Sequence, residues 1–520
     1  MAGWSRWLLL ALVAQALGRA HTARILGVYP MPSRSHHAVI NSLLKELAAR
    51  GHEVTVISSF PPEKPLANYT HVDVDVDVKK LLGKINTFDF GKMNSFSNVL
   101  QIVAFGEVLS KYTFENEKVQ EIIKSKKYQF DVVILEDFGN EALAGIAHVF
   151  NAPLIYFSSA VGFVWTNDFI GNPGCYAYIP NIFSGYSDHM TFTERVHNTL
   201  HNLFSELYYH LIFIPKQDYL MRKYLQEIVD LPHLSEINTK TSLVLANALP
   251  GINYLQPVLP NYIQVGGIHI SPPKQLPQDL QAFLDNASEG VIYFSMGSFL
   301  KSADFPKHIQ ESFLKAFGKL KQKVLWKFEV NNLPGQPSNV VIKNWFPQND
   351  ILAHPNTKLF ITHGGLLSNQ EAVYHGKTLL GIPILGDQRL NMRNTVRLGY
   401  GLILEMSNIT DTSVEWALNE ALNNPRYAKR AKMVSRIFRD QPQTSKDKAV
   451  FWTEYVIRHK GAPHLRSAAL DLAWYQYLLL DVVAVILLVI FTFISIVIFS
   501  CRKLFGSKRS KPVSLKKKIK

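Results

Sequence analysis

Two places in this 520-residue sequence combine residue types that could do chemistry. In the first, His363 ends an apolar run, Leu359-Phe360-Ile361-Thr362, and precedes Gly364-Gly365 and a helical stretch that holds Ser368 and Glu371. The glycines let backbone approach a ligand closely, and a helix starting behind them presents free N–H groups and the positive end of its dipole. This is a cradle for a diphosphate, with His363 as an added donor. In the second, His36 follows the first strand-like run, and Glu136 and Asp137 follow Leu135 at the end of another. A carboxylate beside a histidine fixes its tautomer and stabilises the imidazolium, so the pair could serve a proton transfer. A third candidate, Asp73-Val74-Asp75-Val76-Asp77, could hold a divalent cation. Its period of two is better explained by an amphipathic strand with its carboxylates in water. No metal is expected, because the His363 loop already supplies the charge a diphosphate leaving group needs.

The elements that must position these groups read as two α/β halves. Arg24 to Tyr29 is a buried-type strand, and His36 to Arg50 is helical by the spacing of Val39, Leu43, Leu44 and Leu47, with Gly51 at the stop. Val54 to Ile57, Phe130 to Leu135 and Pro153 to Phe157 are further apolar strands, which argues a parallel sheet. A second series starts with Val291-Ile292-Tyr293-Phe294 and continues through Lys323–Trp326, Val340–Ile342 and Lys358–Thr362. Six prolines between Pro250 and Pro277 mark the join. The expected fold is α/β: two doubly wound Rossmann-like domains facing across a cleft, 21–249 and 250–474. Such sheets bind ligands at the C-terminal ends of their strands.

The two ends read as addresses. Residues 1–20 carry Arg6, a short apolar run from Trp7 to Ala14, and small residues Gly18 and Ala20, the pattern of a cleaved secretory signal. Val482 to Ser500 holds no charge and is long enough to cross a bilayer, so 475–501 is expected to be a transmembrane helix with an interfacial flank. The remainder, 502–520, is a basic tail. Nine of the charges behind the formal +14 lie after Cys501, leaving +5 for the rest, so the basicity does not describe a nucleic-acid groove. Two cysteines exclude a disulfide scaffold. Signal and positive tail together imply a single-pass type I protein, lumenal bulk and cytosolic tail. Asn68, Asn286 and Asn408 open Asn-x-Ser/Thr sequons that fit this topology.

The segment from Trp345-Phe346-Pro347-Gln348 through His363-Gly364-Gly365, Ser368, Glu371 and Gly386-Asp387-Gln388 resembles the signature of the UDP-glycosyltransferases. The resemblance is to the membrane-bound endoplasmic reticulum type that includes the UDP-glucuronosyltransferases. It extends over most of the chain, including Ser35-His36 and Asp188-His189-Met190-Thr191-Phe192, and implies the GT-B fold. It also implies that Trp345 stacks on uracil, Gln348 reaches the nucleoside and Glu371 accepts from the ribose hydroxyls. Ser298 would lie at the phosphates, Gly365 and Ser368 would belong to the UDP-sugar site, and Asp387 and Gln388 would bond the sugar. His36 takes the family's catalytic histidine position, with Glu136 or Asp137 as its carboxylate; counting from Phe130 gives Glu136, which is favoured, and counting back from Pro153 gives Asp137. One position departs: Leu367 stands where the family often has Asn. Lys517 and Lys518 near the end resemble an endoplasmic reticulum retrieval signal.

The expected function is inverting transfer of a hexose from UDP-glucose or UDP-glucuronate to a hydroxyl of a small lipophilic acceptor. The UDP-sugar is a co-substrate and no other cofactor is implied. Membrane lipid is the other expected partner; nucleic acid is not, and self-association stays open. The rival is a non-catalytic relative that binds lipophiles or UDP-sugars, whose mark would be loss of the base or of Asp387-Gln388. A nicotinamide oxidoreductase would need a Gly-rich turn after the first strand, and Tyr29 to Arg34 contains no glycine.

Overall fold

The computed structural model describes residues 22–74, 88 and 93–505. Asp75, Asp77, the signal residues 1–20 and the tail lysines Lys517 and Lys518 lie outside them. Residues up to Arg466 form one compact unit, and those from Ser467 a second.

The first unit is built on two all-parallel sheets. The first contains β1 (Arg24–Tyr29), β2 (Glu53–Ser58), β3 (Tyr69–Asp73), β4 (Val132–Glu136), β5 (Leu154–Ser158), β6 (Leu243–Ala246) and β7 (Tyr262–Gln264), in the order β3-β2-β1-β4-β5-β6-β7. The second contains β8 (Val291–Ser295), β9 (Lys323–Lys327), β10 (Val340–Lys343), β11 (Thr357–Thr362), β12 (Thr378–Gly381) and β13 (Gly401–Ile403), in the order β10-β9-β8-β11-β12-β13. The central strands are apolar along their length and buried on both faces, as parallel sheets covered by helices require. Register across the first sheet sets Leu26 beside Val133 and Val28 beside Leu135. The expected pair of doubly wound halves is present.

Each sheet has one switch point, where the chain stops adding strands in one direction and begins in the other. In the first it lies between β1 and β4, in the second between β8 and β11. Those are the places where an open α/β sheet leaves a crevice beyond its strand ends. His36 and Glu136 come from the first, and Ser298 and His363 from the second.

The expected boundary at 249/250 needs correction. The proline run looks like a linker, yet Tyr262–Gln264 inside it pairs with β6 as the last strand of the first sheet, and Ile263, Val265 and Ile268 join that half's core. The helix Ser445–Arg458 returns to the same half, burying Ala449, Val450 and Val456 against Ile25, Val39 and Leu43. Arg50 reinforces this contact by donating to Asp447 at 2.7 Å.

The second unit contains the one helix among the described residues that is long and apolar enough to cross a membrane, Leu480–Phe505. It contains the whole of the uncharged stretch Val482 to Ser500, and the interfacial flank expected from 475 precedes it. Trp474–Tyr477 forms a separate turn, and Leu479 between them takes a left-handed φ of 56° that no continuous helix tolerates.

Candidate functional site

The base-like pair forms where β1 and β4 end side by side. The helix Arg34–Ala49 follows β1 after a short Pro/Ser turn and puts His36 in its first turn, while Glu136 is the last residue of β4. His36 Nδ1 lies 2.5 Å from Glu136 Oε1, and the Ser159 hydroxyl lies 2.9 Å from the same nitrogen. The Glu136 side chain is fully buried and His36 is partly open and lines the cleft, with Nδ1 engaged and Nε2 without a hydrogen bond among the described residues. The Phe138 ring meets His36 edge-on at 4.6 Å and limits its rotation.

On the opposite wall the His363 ring is clamped between backbones. A Cβ on Gly297 or on Gly365 would come within 2.5 Å of the ring, and Gly297 has a φ of +81°, so glycine is required there on both counts. The helix Leu366–Tyr374 begins at Gly365, and its first N–H groups open onto the cleft. Burial and the neighbouring Lys327 push the His363 imidazole down to about 4, so it is neutral at neutral pH. The Thr362 hydroxyl lies 3.3 Å from Nδ1 and can donate to it, which leaves Nε2 as an N–H donor.

Around this clamp stand the other polar groups. Gln348 donates to Glu371 at 2.7 Å and to Ser368 at 3.1 Å, tying three of the expected UDP-sugar contacts into one network. Burial raises Glu371 to about 7. Trp345 is 61% exposed, which excludes a core role, and Arg34 from the first half lies 5.9 Å over its ring. Gln388 accepts from the Ile384 and Leu385 N–H groups at 2.9 and 3.1 Å, so its oxygen fixes the loop. Its NH₂ makes no bond within the described residues. Asp387 accepts from Asn391 at 2.8 Å; burial raises its pKa, and His36 across the cleft pulls the other way. Ser298 is exposed on the same cleft, whose volume is about 990 Å³.

A profile of the family described as "UDP-glucoronosyl and UDP-glucosyl transferase" matches residues 24–511. The chain belongs to this family. Among its relatives is "UDP-glycosyltransferase UGT5" of Dactylopius coccus, 39% identical over 506 residues, 94% of this chain and 95% of that one. Another is "UDP-glucuronosyltransferase 2A3" of Mus musculus, 32% identical over 515 residues, 93% and 94% of the two chains. Two solved glycosyltransferases share the fold. Spinosyn forosaminyltransferase SpnP has a TM-score of 0.55 at 18% identity, covering 84% of this chain and all of that one. VinC, in complex with dTDP, has 0.56 at 16% identity, covering 84% and 98%. The GT-B fold is therefore shown, and family membership makes the protein a glycosyltransferase that takes a UDP-sugar donor and an acceptor.

The structure decides between the two carboxylates. Asp137, one residue beyond Glu136, points to the other side of the strand end and accepts from the Thr166 hydroxyl at 2.6 Å, away from His36. It is buried, and that burial lifts it to about 7. Glu136 is the partner, and the catalytic assignment of Asp137 is withdrawn. Leu367, the position that departs from the family pattern, lines the cleft and packs on the apolar cluster of the first half. The Asp188–Phe192 stretch caps a helix: Thr191 and Glu194 form a reciprocal capping box at the start of Phe192–Tyr208.

On the first-half side, Ala160, Phe163, Ile182 and Phe183 line the cleft, whereas Trp165 is core, stacked between Phe163 and Tyr209. Sequence reasoning missed Phe60, Ile102, Phe105 and Phe138, which complete that wall from separate loops and helices. It also missed Ser159, Lys327 and His269. His269 is buried with both ring nitrogens unpaired, lines the cleft, and has Nε2 3.7 Å from Glu371. The run Gly266-Gly267-Ile268-His269, directly after β7, was the available signal, hidden by the proline-rich reading of that segment. The sequon residues Asn68, Asn286 and Asn408 are all exposed.

Proposed function

We propose that the protein transfers a hexose, with inversion, from UDP-glucose or UDP-glucuronate to a hydroxyl of a small lipophilic acceptor, with His36 as general base. The observation that carries this reading is the His36–Glu136 pair facing the His363 helix terminus across one cleft. The acceptor hydroxyl gives its proton to His36 Nε2 as its oxygen bonds to the anomeric carbon. The bond from that carbon to the phosphate oxygen breaks, and UDP departs with the electron pair. Its new charge meets the Gly365–Ser368 N–H groups and the neutral His363 donor, which stabilise it where it develops. Glu136 stays ionised and stabilises the imidazolium. Base and leaving group approach from opposite walls, so attack is in line and the configuration inverts. The aromatic wall from Phe60, Phe105, Phe138 and Phe183 suits an apolar acceptor.

Leu480–Phe505 acts as the anchor in the endoplasmic reticulum membrane, with the first unit lumenal, the tail cytosolic, and Asn68, Asn286 and Asn408 glycosylated. Protease added to sealed microsomes should then remove only the tail.

The test of the reaction is to incubate membranes carrying the protein with UDP-α-glucose or UDP-α-glucuronate and a phenol, and to assign the product by NMR. A β-linked product is expected. An α-linked product would overturn the mechanism. UDP-sugar binding with no product from any phenol or alcohol would favour a non-catalytic binder.

A further inference from the structure

The strap that leaves the first sheet carries a buried histidine whose ring has nothing to bond. It runs Gly266-Gly267-Ile268-His269, two residues after β7, and leads into the second half. Several contacts pin it. The Ser445 hydroxyl donates to the Gly266 carbonyl at 2.7 Å, and the Gly267 N–H donates to Gln370, on the helix Leu366–Tyr374, at 3.1 Å. Gly267 has a φ of +81°, and a Cβ there would lie 2.7 Å from the Phe438 ring. Ile268 joins the core of the first half and Ile270 packs on that of the second. His269 is thus held between them against the cleft, its side chain only 5% exposed.

Neither ring nitrogen has a hydrogen-bond partner among the described residues. Burial pushes the imidazole down to about 4, with the Leu367 carbonyl opposing, so the ring is neutral at neutral pH and offers one N–H and one bare nitrogen. A buried polar group left unpaired is costly, so a rigidly held ring of this kind at the edge of a cleft calls for a partner that the ligand brings. Glu371 stands beside it, with Oε1 3.7 Å from Nε2, too far for a hydrogen bond. Gln348 donates to the other carboxylate oxygen, Oε2, at 2.7 Å and holds that side chain in place. A nitrogen and a carboxylate oxygen therefore stand side by side on the cleft without bonding each other. Two hydroxyls on adjacent carbons, as in a cis-diol, fit that pair with one on each group at about 2.8 Å.

We propose that His269 is a further nucleoside-binding residue, and that its ring and the Glu371 carboxylate together hold the cis-diol of the UDP ribose. The proposal rests on the reading of Trp345, Gln348 and Glu371 as the nucleoside end of the cleft. One hydroxyl donates to Glu371 Oε1, and its neighbour hydrogen-bonds the imidazole. The pair reads the sugar of the nucleotide, not its base or its phosphates: a nucleotide that lacks one of the hydroxyls leaves a buried group unpaired. Because the ring sits on a strap pinned by Ser445, Gln370 and Phe438, it is in position before the nucleotide arrives, and little ordering is needed on binding.

The experiment titrates the full chain, in detergent micelles, with UDP, 2′-deoxy-UDP and 3′-deoxy-UDP by calorimetry. Wild type should bind each deoxy nucleotide about 5- to 150-fold more weakly than UDP. His269→Phe fills the place of the ring without a polar atom. It should weaken UDP by a similar factor and bind UDP and one of the deoxy nucleotides equally, since the hydroxyl removed no longer has a partner. His269→Ala, which adds no bulk, should repeat that pattern should the phenylalanine not fit. His269→Gln keeps an amide that can donate and accept, and should restore the discrimination. Equal binding of all three nucleotides by wild type would overturn the proposal, as would wild-type UDP affinity in both His269→Phe and His269→Ala. A loss of UDP affinity in these variants that leaves both deoxy penalties intact would also overturn it, making the ring a spacer between the halves. Glu371→Ala separates the proposal from the reading beneath it. Unchanged UDP affinity there refutes the nucleoside end of the cleft and His269 with it, whereas a loss there beside wild-type behaviour of the His269 variants refutes His269 alone.

Discussion

The two halves solve similar problems with different materials. In the second half, the proposed phosphate cradle consists of backbone N–H groups and a ring clamped between Gly297 and Gly365, all from the ends of two neighbouring strands. In the first half, the proposed proton-handling group is a side-chain pair whose members lie one hundred residues apart, His36 and Glu136, supported by Ser159 from a third strand end. A diphosphate presents the same charge whatever sugar it carries, so a fixed backbone cradle suffices. An acceptor hydroxyl must lose a proton at the right moment, which only a titratable side chain can arrange. Damage to the first half should therefore strike the rate, and damage to the second should strike donor affinity.

The largest effect is expected from His36→Ala. A positioned base contributes about 10²–10⁴-fold, so kcat toward phenols should fall by about that much while KM for the UDP-sugar stays near wild type. Steady-state kinetics with both substrates varied measures the split. Glu136→Ala should cost less, since Glu136 acts only through His36, and the double variant should be little worse than His36→Ala alone. A large rise in donor KM for His36→Ala would erase the division between the halves.

Next in size is Gly365→Ala. Its Cβ would meet His363 at 2.5 Å, so the ring or the helix start must move out of place. UDP affinity, read by calorimetry, should fall by about 5- to 150-fold, the equivalent of roughly 1–3 kcal/mol of misplaced hydrogen bonding. Smaller again, and different in kind, is the effect of Asp387→Ala. UDP itself should bind nearly as well, and discrimination among UDP-sugars should relax. Equal loss for UDP and UDP-sugar would move Asp387 from the sugar to the nucleotide end of the cleft.

The same contrast explains what was legible in the sequence. The donor loop could be read because its residues are contiguous: His363, the glycines, Ser368 and Glu371 fall within one strand–turn–helix unit, and the resemblance covers them in one run. The strands could be read because parallel strands buried on both faces are apolar throughout. The acceptor wall could not, because Phe60, Ile102, Phe105 and Phe138 come from segments that only the tertiary fold brings together. The return of Ser445–Arg458 to the first half was hidden for the same reason, and β7 was hidden because a three-residue strand among prolines carries almost no periodic signal.

The smallest expected effect is the sharpest test of the His36 pair. Glu136 and Asp137 are adjacent and both buried, and only one touches the histidine. Asp137 lies under Thr166, where burial lifts it to about 7 against an ordinary value near 3.8, so the folded protein holds a proton there that the unfolded chain has lost. Between those two values this site binds more protons in the folded state than in the unfolded one, so the contribution of Asp137 to stability falls as pH rises through the window, levelling off above about 7. Asp137→Asn keeps the neutral, hydrogen-bonding form at every pH. Its kcat at pH 7 should stay within about twofold of wild type, since it never reaches the base. Its thermal midpoint should gain on that of wild type as pH rises from 5 to 7. Glu371 and Glu206, also raised to about 7, contribute slope of the same sign as Asp137, and His37, His269, His363 and His375, lowered to about 4 by burial, contribute slope of the opposite sign in both proteins. A loss of kcat as deep as that of Glu136→Ala, with the pH slope of stability unchanged, would exchange the roles of the two carboxylates.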